Sequence, residues 1–67
     1  MTNKQILENI GGRIVYVPAT NRYRCRNAHG NWVTYRYRKA LLLLHAFGLD
    51  GYIRRAVGLI KKQALKT

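Results

Sequence analysis

Apolar and polar residues alternate with a period of two through much of the first half of the chain. The segments RIVYVP, RYRCR and WVTYRYR are also rich in β-branched or aromatic residues, a composition typical of strands. A three-residue loop at 28–30, with Gly30 in the left-handed conformation, would join the second segment to the third. With a four-residue turn at 18–21, the three segments fit one antiparallel register, so the pattern predicts a three-stranded meander.

This register gives the predicted sheet two different faces, because opposed residues of antiparallel strands share a face. The first face is mostly aromatic and apolar and is expected to pack against helices: Ile14, Tyr16, Tyr23, Cys25, Val33, Tyr35 and Tyr37. The second face is rich in arginine: Arg13, Val15, Val17, Arg22, Arg24, Arg26, Trp32, Thr34, Arg36 and Arg38. A two-residue loop would mix the faces, which favours the three-residue loop.

Helical patterns flank the predicted strands. The opening TNKQILENIGG predicts a short helix capped by Thr2 or Asn3 and stopped by two glycines. Residues 40–47 are apolar on all sides, which suits a buried helix or a fully buried strand, and the leucines favour the helix. Residues 51–66 predict a last helix, capped by Asp50, with one apolar stripe. Within it, Gly58 costs roughly 1 kcal/mol of helix propensity and indicates a close approach to another element.

The expected fold is therefore α+β in a single domain spanning residues 1–67. A three-stranded antiparallel β-meander packs on one or two C-terminal helices, and the short N-terminal helix is an accessory.

Charge narrows the choice of partner. Thirteen lysines and arginines face two acids, Glu8 and Asp50, for a formal net charge of +11. A surface that needs only solubility usually mixes both signs, so this excess predicts a polyanion, most often a nucleic acid. No membrane partner is expected, because the longest apolar run, 40–49, contains His45 and is too short to span a bilayer. The lone Cys25 and the lack of a signal peptide predict a cytoplasmic protein associated with the nucleoid or with nucleic acid.

The sequence contains few residues of the types that commonly carry out catalysis. The sequence has no serine, two carboxylates and no glycine-rich loop with a P-loop lysine, so the common hydrolytic arrangements cannot be assembled. Cys25 and His29 are spaced like half of a zinc site, but no second pair exists. His45, within an apolar run, is expected to be buried. The sequence predicts no enzyme activity, no metal and no cofactor.

The arginine-rich side of the sheet is the candidate binding site. Like charges opposed across a sheet repel, and Arg22 is predicted to face Arg36, so a bound anion would relieve the repulsion. The planar guanidinium also matches phosphate and the guanine edge. For Trp32 two interpretations stay open: it stacks on a base or sugar or covers Arg26 by cation–π contact, or it packs beneath the N-terminal helix.

Double-stranded DNA is the favoured partner, ahead of RNA. The expected contacts are Arg13, Arg22, Arg24, Arg26, Trp32, Thr34, Arg36 and Arg38. Secondary phosphate contacts are expected from His29, Arg54, Arg55, Lys61 and Lys62. The alternatives are a small phage or mobile-element module that docks on an acidic patch of a host protein, and an RNA- or ribosome-binding protein. Monomer and homodimer are both open.

The run RYRCRNAHGNWVTYRYR resembles the first hairpin of small DNA-binding domains in which a three-stranded sheet lies on a helix. Plant ethylene-response-factor domains and the arm-site-binding domains of tyrosine integrases are of this kind. The resemblance covers Arg22, Arg24, Arg26, Gly30, Asn31, Trp32, Val33, Arg36 and Arg38, about a quarter of the chain with the residues between them. It implies that the sheet face enters the major groove. It also implies a third strand within LLLLHAF, which leaves residues 13–17 as an additional strand. The chain departs from the family in its basic helix, which replaces an acidic, alanine-rich one.

Overall fold

Three helices and three strands make up the computed structural model, which describes residues 1–66. In chain order they are α1 (Asn3–Ile10), β1 (Ile14–Val17), β2 (Arg22–Arg26), β3 (Trp32–Tyr35), α2 (Tyr37–Ala46) and α3 (Ile53–Leu65). The strands form one antiparallel sheet in the order β1-β2-β3. This arrangement confirms the predicted α+β class and the meander.

The strand register is the one that the alternation predicts. Cys25, on the central strand, lies opposite Ile14 on β1 and Val33 on β3. At the β2–β3 loop, the backbone N–H of Asn27 donates to the carbonyl of Asn31 over 2.9 Å, and Gly30 has a φ of 80°. The three-residue loop with a left-handed glycine is therefore confirmed.

The core lies between the sheet and the helices. α3 packs against β1, α2 packs against α3 and β2, and α1 packs against α3. The buried apolar side chains are Ile6, Ile10, Ile14, Tyr23, Cys25, Ala40, Leu44, Leu49, Ala56, Val57 and Ile60. The strand residues among them all belong to the predicted aromatic and apolar face, so the helices cover that side of the sheet.

The third strand ends earlier than the sequence predicts. Tyr37 and Arg38 were expected to continue it, but α2 already begins at Tyr37. In the helix Ala40 and Leu44, four residues apart, share the buried side, whereas Leu42 is 62% exposed. Residues 40–46 are thus helical rather than a strand. The third strand that the resemblance implies within LLLLHAF is therefore absent. This run is buried on one side of the helix and exposed on another.

Because Tyr37 lies in α2 rather than in β3, it does not belong to the core face of the sheet. Its side chain is 50% exposed, and its ring centroid lies 6.4 Å from that of Tyr23. Tyr16 and Tyr35 remain partly buried against the core, as expected.

Two expectations about the α2–α3 connection are wrong. His45 is exposed rather than buried, because it lies one residue beyond Leu44 and faces away from the core; its Nδ1 is hydrogen-bonded to the carboxylate of Asp50. Asp50 therefore does not cap α3, whose N-cap is Tyr52 without a side-chain cap bond.

Of the two remaining predictions about the helices, the one for α1 is confirmed and the one for Gly58 is wrong. At α1, Thr2 is the N-cap and forms a capping box with Gln5, and Gly11 ends the helix with a φ of 57°, as predicted. Gly58 is exposed on α3, and a Cβ added there would meet nothing within 4 Å. The expected close approach at Gly58 is absent.

Candidate nucleic-acid interface

The side of the sheet that faces away from the helices is called here the arginine face. It is formed by Val15, Val17, Arg22, Arg24, Arg26, Trp32 and Thr34. Alternation along each strand places these side chains opposite to the buried Ile14, Tyr23 and Cys25. The predicted separation of the sheet into two chemically different faces is therefore present.

Arginines form a ridge along the middle of this face. Arg22, Arg24 and Arg26 follow one another on the central strand, and same-side residues of a strand are about 6.7 Å apart. The cross-strand neighbours of Arg24 are Val15 on one side and Thr34 on the other. Both neighbours have shorter side chains than Arg24, which is exposed.

Trp32 lies at one end of the ridge, opposite Arg26. The guanidinium carbon of Arg26 is 5.2 Å from the centroid of the indole ring, and that of Arg24 is 5.8 Å away. The side chain is 38% exposed, so it does not pack beneath α1. A cation–π contact is worth about 0.5–1 kcal/mol at an exposed site. The two contacts therefore favour arginine positions near the ring despite their mutual repulsion.

Arg36 extends the ridge, although not as a strand residue. It is the N-cap of α2, with an extended backbone at φ −80° and ψ 170°. Continued alternation from Thr34 places its side chain on the same side of the sheet, at the end where Arg22 lies. The predicted strand pairing of Arg36 with Arg22 is absent because β3 ends at Tyr35.

Two predicted contacts do not belong to the arginine face. Arg13 turns towards α1, where its Nε donates to the carbonyl of Ile10 over 3.1 Å and its Nη2 donates to the carbonyl of Asn9. Its guanidinium also lies 4.2 Å from the centroid of the Phe47 ring. Arg38 is in the first turn of α2, not in a strand.

The reason for the position of Arg13 is the end of α1. The last carbonyls of a helix lack intrahelical partners and carry partial negative charge. A signal for this was present in the sequence, since Arg13 directly follows Gly11 and Gly12, where the chain turns back beside that helix end.

The residues for which secondary phosphate contacts were predicted are scattered over the structure. His29 is exposed in the β2–β3 loop, held by a 2.9 Å bond from its backbone N–H to Asn27 Oδ1. The four cations of α3 belong to the helical layer on the other side of the sheet. Among them Arg55 donates to the carbonyl of Met1 over 3.0 Å, and Lys61 Nζ lies 5.3 Å from the centroid of the Tyr16 ring. Arg54 and Lys62 are exposed on the same helix, so the structure does not bring these cations onto the arginine face.

Other candidate chemistry is sparse in the described residues. Cys25 is 4% exposed, and burial raises the pKa of its thiol despite the opposing effect of the nearby positive charge of Arg13. The thiol is thus kept in its less nucleophilic protonated form. Within residues 1–66, His, Cys, Asp and Glu side chains form no group of three or more that could hold a metal ion.

In the described part of the chain, every helix is too short or too polar to cross a membrane.

Searches with the chain against protein-family models, curated proteins and solved structures gave no match.

Proposed function

We propose that this protein is a non-enzymatic nucleic-acid-binding protein that holds double-stranded DNA on its arginine face. The observation that carries the proposal is the row of Arg22, Arg24 and Arg26, continued by Arg36, on the exposed side of the sheet. The two acidic residues lie elsewhere, Glu8 in α1 and Asp50 in the α2–α3 connection, so they do not neutralise this row.

Electrostatics supports an anionic ligand. Two unit charges about 6.7 Å apart repel by roughly 0.6 kcal/mol in water and by more near a protein surface. A phosphate placed between neighbouring guanidinium groups converts this repulsion into attraction. Guanidinium also binds phosphate through two parallel hydrogen bonds, which an ammonium group cannot do.

The shape of the face favours a duplex over a single strand. Three strands span about 10 Å between their outer axes, and the major groove of B-DNA is about 12 Å wide. Arg24, in the middle of the ridge between the shorter Val15 and Thr34, can therefore reach towards base edges. Proteins that bind single strands instead stack successive bases on several aromatic side chains. Here Trp32 is the aromatic residue of the arginine face, while Tyr16, Tyr23 and Tyr35 lie on the core side.

The test compares ligands and matched variants. Fluorescence anisotropy would measure binding to a mixed-sequence DNA duplex, to one of its strands and to an RNA hairpin. We expect the duplex to bind most tightly. Arg24→Gln and Lys62→Gln each remove one positive charge, but only Arg24 lies on the arginine face.

Arg24→Gln should weaken duplex binding by about 1–3 kcal/mol, which is roughly 5–150-fold. Lys62→Gln should change it much less. Absence of duplex binding at low salt would contradict the proposal, and so would equal losses in the two variants. Tighter binding of the RNA hairpin would replace DNA with RNA as the ligand.

A further inference from the structure

The outward side of α3 carries a shallow hollow, called here the α3 hollow. Its volume is about 490 Å³, and it is lined by Gly58, Lys61, Lys62, Leu65 and Lys66. Residues spaced in this way share one side of a helix. The buried residues of α3 point towards the core instead: Ala56, Val57 and Ile60. The hollow therefore faces away from the sheet, on the opposite side of the molecule from the arginine face.

The open space in the hollow lies above Gly58. This residue is exposed, and a Cβ added to it would meet no packing neighbour within 4 Å among the described residues. Glycine inside a helix makes the helix less stable than the common helix-forming residues do. At position 58 neither a positive φ nor a close contact within residues 1–66 requires a glycine. A side chain supplied by a partner could fill this space.

Apolar groups surround the space, and positive charges lie around them. Leu65 is 64% exposed, and lysine side chains contribute their methylene stems. Lys62 and Lys66 are exposed, α3 contains no acidic residue, and neither Glu8 nor Asp50 lines the hollow. A complementary ligand therefore has an apolar group at its centre and negative charges beside it.

We propose that the α3 hollow binds an acidic amphipathic helix of a partner protein. A leucine or methionine of that helix enters the space above Gly58 and contacts Leu65, because the missing side chain lets a second helix approach closely. Glutamates or aspartates on either side of it pair with Lys62 and Lys66.

Other anionic partners match the charge of the hollow but not its apolar part. A DNA duplex would pair its phosphates with the lysines and leave Leu65 without an apolar partner. A helix that binds a membrane surface presents a broad apolar face, whereas Leu65 is the one large, exposed apolar side chain among the described residues of α3. A second copy of the chain would bring another net charge of +11, and long-range repulsion disfavours that pairing.

The probe is a blocked, fluorescently labelled peptide of about 18 residues, long enough to form a helix. It consists of glutamate, alanine and a stripe of leucines, and its control has glutamine in place of every leucine at the same charge. Fluorescence anisotropy should show the leucine peptide binding about tenfold or more tightly than the control, since one leucine becomes buried. In NMR spectra its binding should shift the amide signals of Gly58 and Leu65 and leave that of Arg24 unchanged.

Gly58→Gln fills the hollow without changing the charge. Glutamine is a better helix former than glycine, so urea unfolding should show a variant at least as stable as the wild type. The leucine peptide should nevertheless lose about tenfold in affinity and bind no better than the glutamine peptide. Duplex DNA binding should stay the same.

Two charge variants separate the hollow from diffuse attraction. Lys62→Gln and Arg54→Gln each remove one positive charge from α3, but only Lys62 lines the hollow. Lys62→Gln should weaken the leucine peptide several-fold, and Arg54→Gln should affect it much less. Arg24→Gln, on the arginine face, should leave peptide binding unchanged.

Three results would overturn the proposal: equal binding of the leucine and glutamine peptides, unchanged peptide affinity in Gly58→Gln, or equal losses in Lys62→Gln and Arg54→Gln. Binding to phosphatidylserine vesicles that Gly58→Gln abolishes would identify a membrane as the occupant instead. A dimer in sedimentation that Gly58→Gln abolishes would identify a second copy. Since the peptide assays contain no DNA, their failure would leave the proposed function of the arginine face standing.

Discussion

Replacing Arg13 with glutamine is expected to destabilise the fold while leaving DNA binding almost intact. The Arg13 side chain donates to two carbonyls at the end of α1 and lies 4.2 Å from the Phe47 ring centroid. A hydrogen bond from a charged group contributes about 1.5–3 kcal/mol when buried, and less here because Arg13 is exposed. With about 0.5–1 kcal/mol from the ring contact, the expected loss is about 1–2 kcal/mol.

Arg24→Gln is the matched comparison, because it removes the same charge from the arginine face. Arg24 is exposed, and its described side-chain contact is the one with Trp32. Its loss should change the free energy of unfolding by no more than about 0.5 kcal/mol. The affinity for duplex DNA should fall by roughly fivefold or more.

Urea unfolding followed by circular dichroism would measure stability, and anisotropy would measure the affinity of the folded fraction. In a domain of this size, each kcal/mol corresponds to a change in Tm of roughly 4–8 °C. The structural role of Arg13 would be refuted if Arg13→Gln were the more stable variant. The functional assignment would be refuted if Arg13→Gln weakened DNA binding as much as Arg24→Gln.

Three further predictions concern other positions. Gly58→Ala should stabilise the protein by up to about 1 kcal/mol, because the site is open and helical, whereas Gly11→Ala should destabilise it at a φ of 57°; thermal unfolding compares the two. Trp32→Leu should weaken duplex binding without changing its salt dependence, since no charge is lost; a changed slope would contradict this. Burial, with smaller effects of two neighbouring tyrosines, raises the pKa of Tyr23, so the unfolded chain loses this proton first and stability should fall as pH rises above about 10. Tyr23→Phe should make that fall shallower in urea titrations at successive pH values.

Strand register was the part of the fold that local sequence determines best. The position of Gly30 limits the loop, and the alternation around Cys25 allows one register that keeps tyrosines and arginines on opposite faces. That inference gave the central residues of the arginine face, including the position of Trp32 beside Arg26.

The ends of elements depend on tertiary contacts that alternation does not encode. The residues YRYR continue a period of two, yet α2 begins at Tyr37, and the helix lets Ala40 and Leu44 reach the core together. The position of Arg13 also depends on its contact with Phe47, which lies far from it in sequence. For that reason a residue of the correct type was assigned to the wrong surface.

The salt dependence of duplex binding counts the phosphates that the arginine face neutralises. If Arg22, Arg24, Arg26 and Arg36 each neutralise one phosphate, the logarithm of the binding constant should fall with the logarithm of the salt concentration at a slope of about −3.6. Arg24→Gln should make the slope shallower by about 1. A slope near zero, or the same slope in the wild type and Arg24→Gln, would contradict binding of DNA by the arginine face.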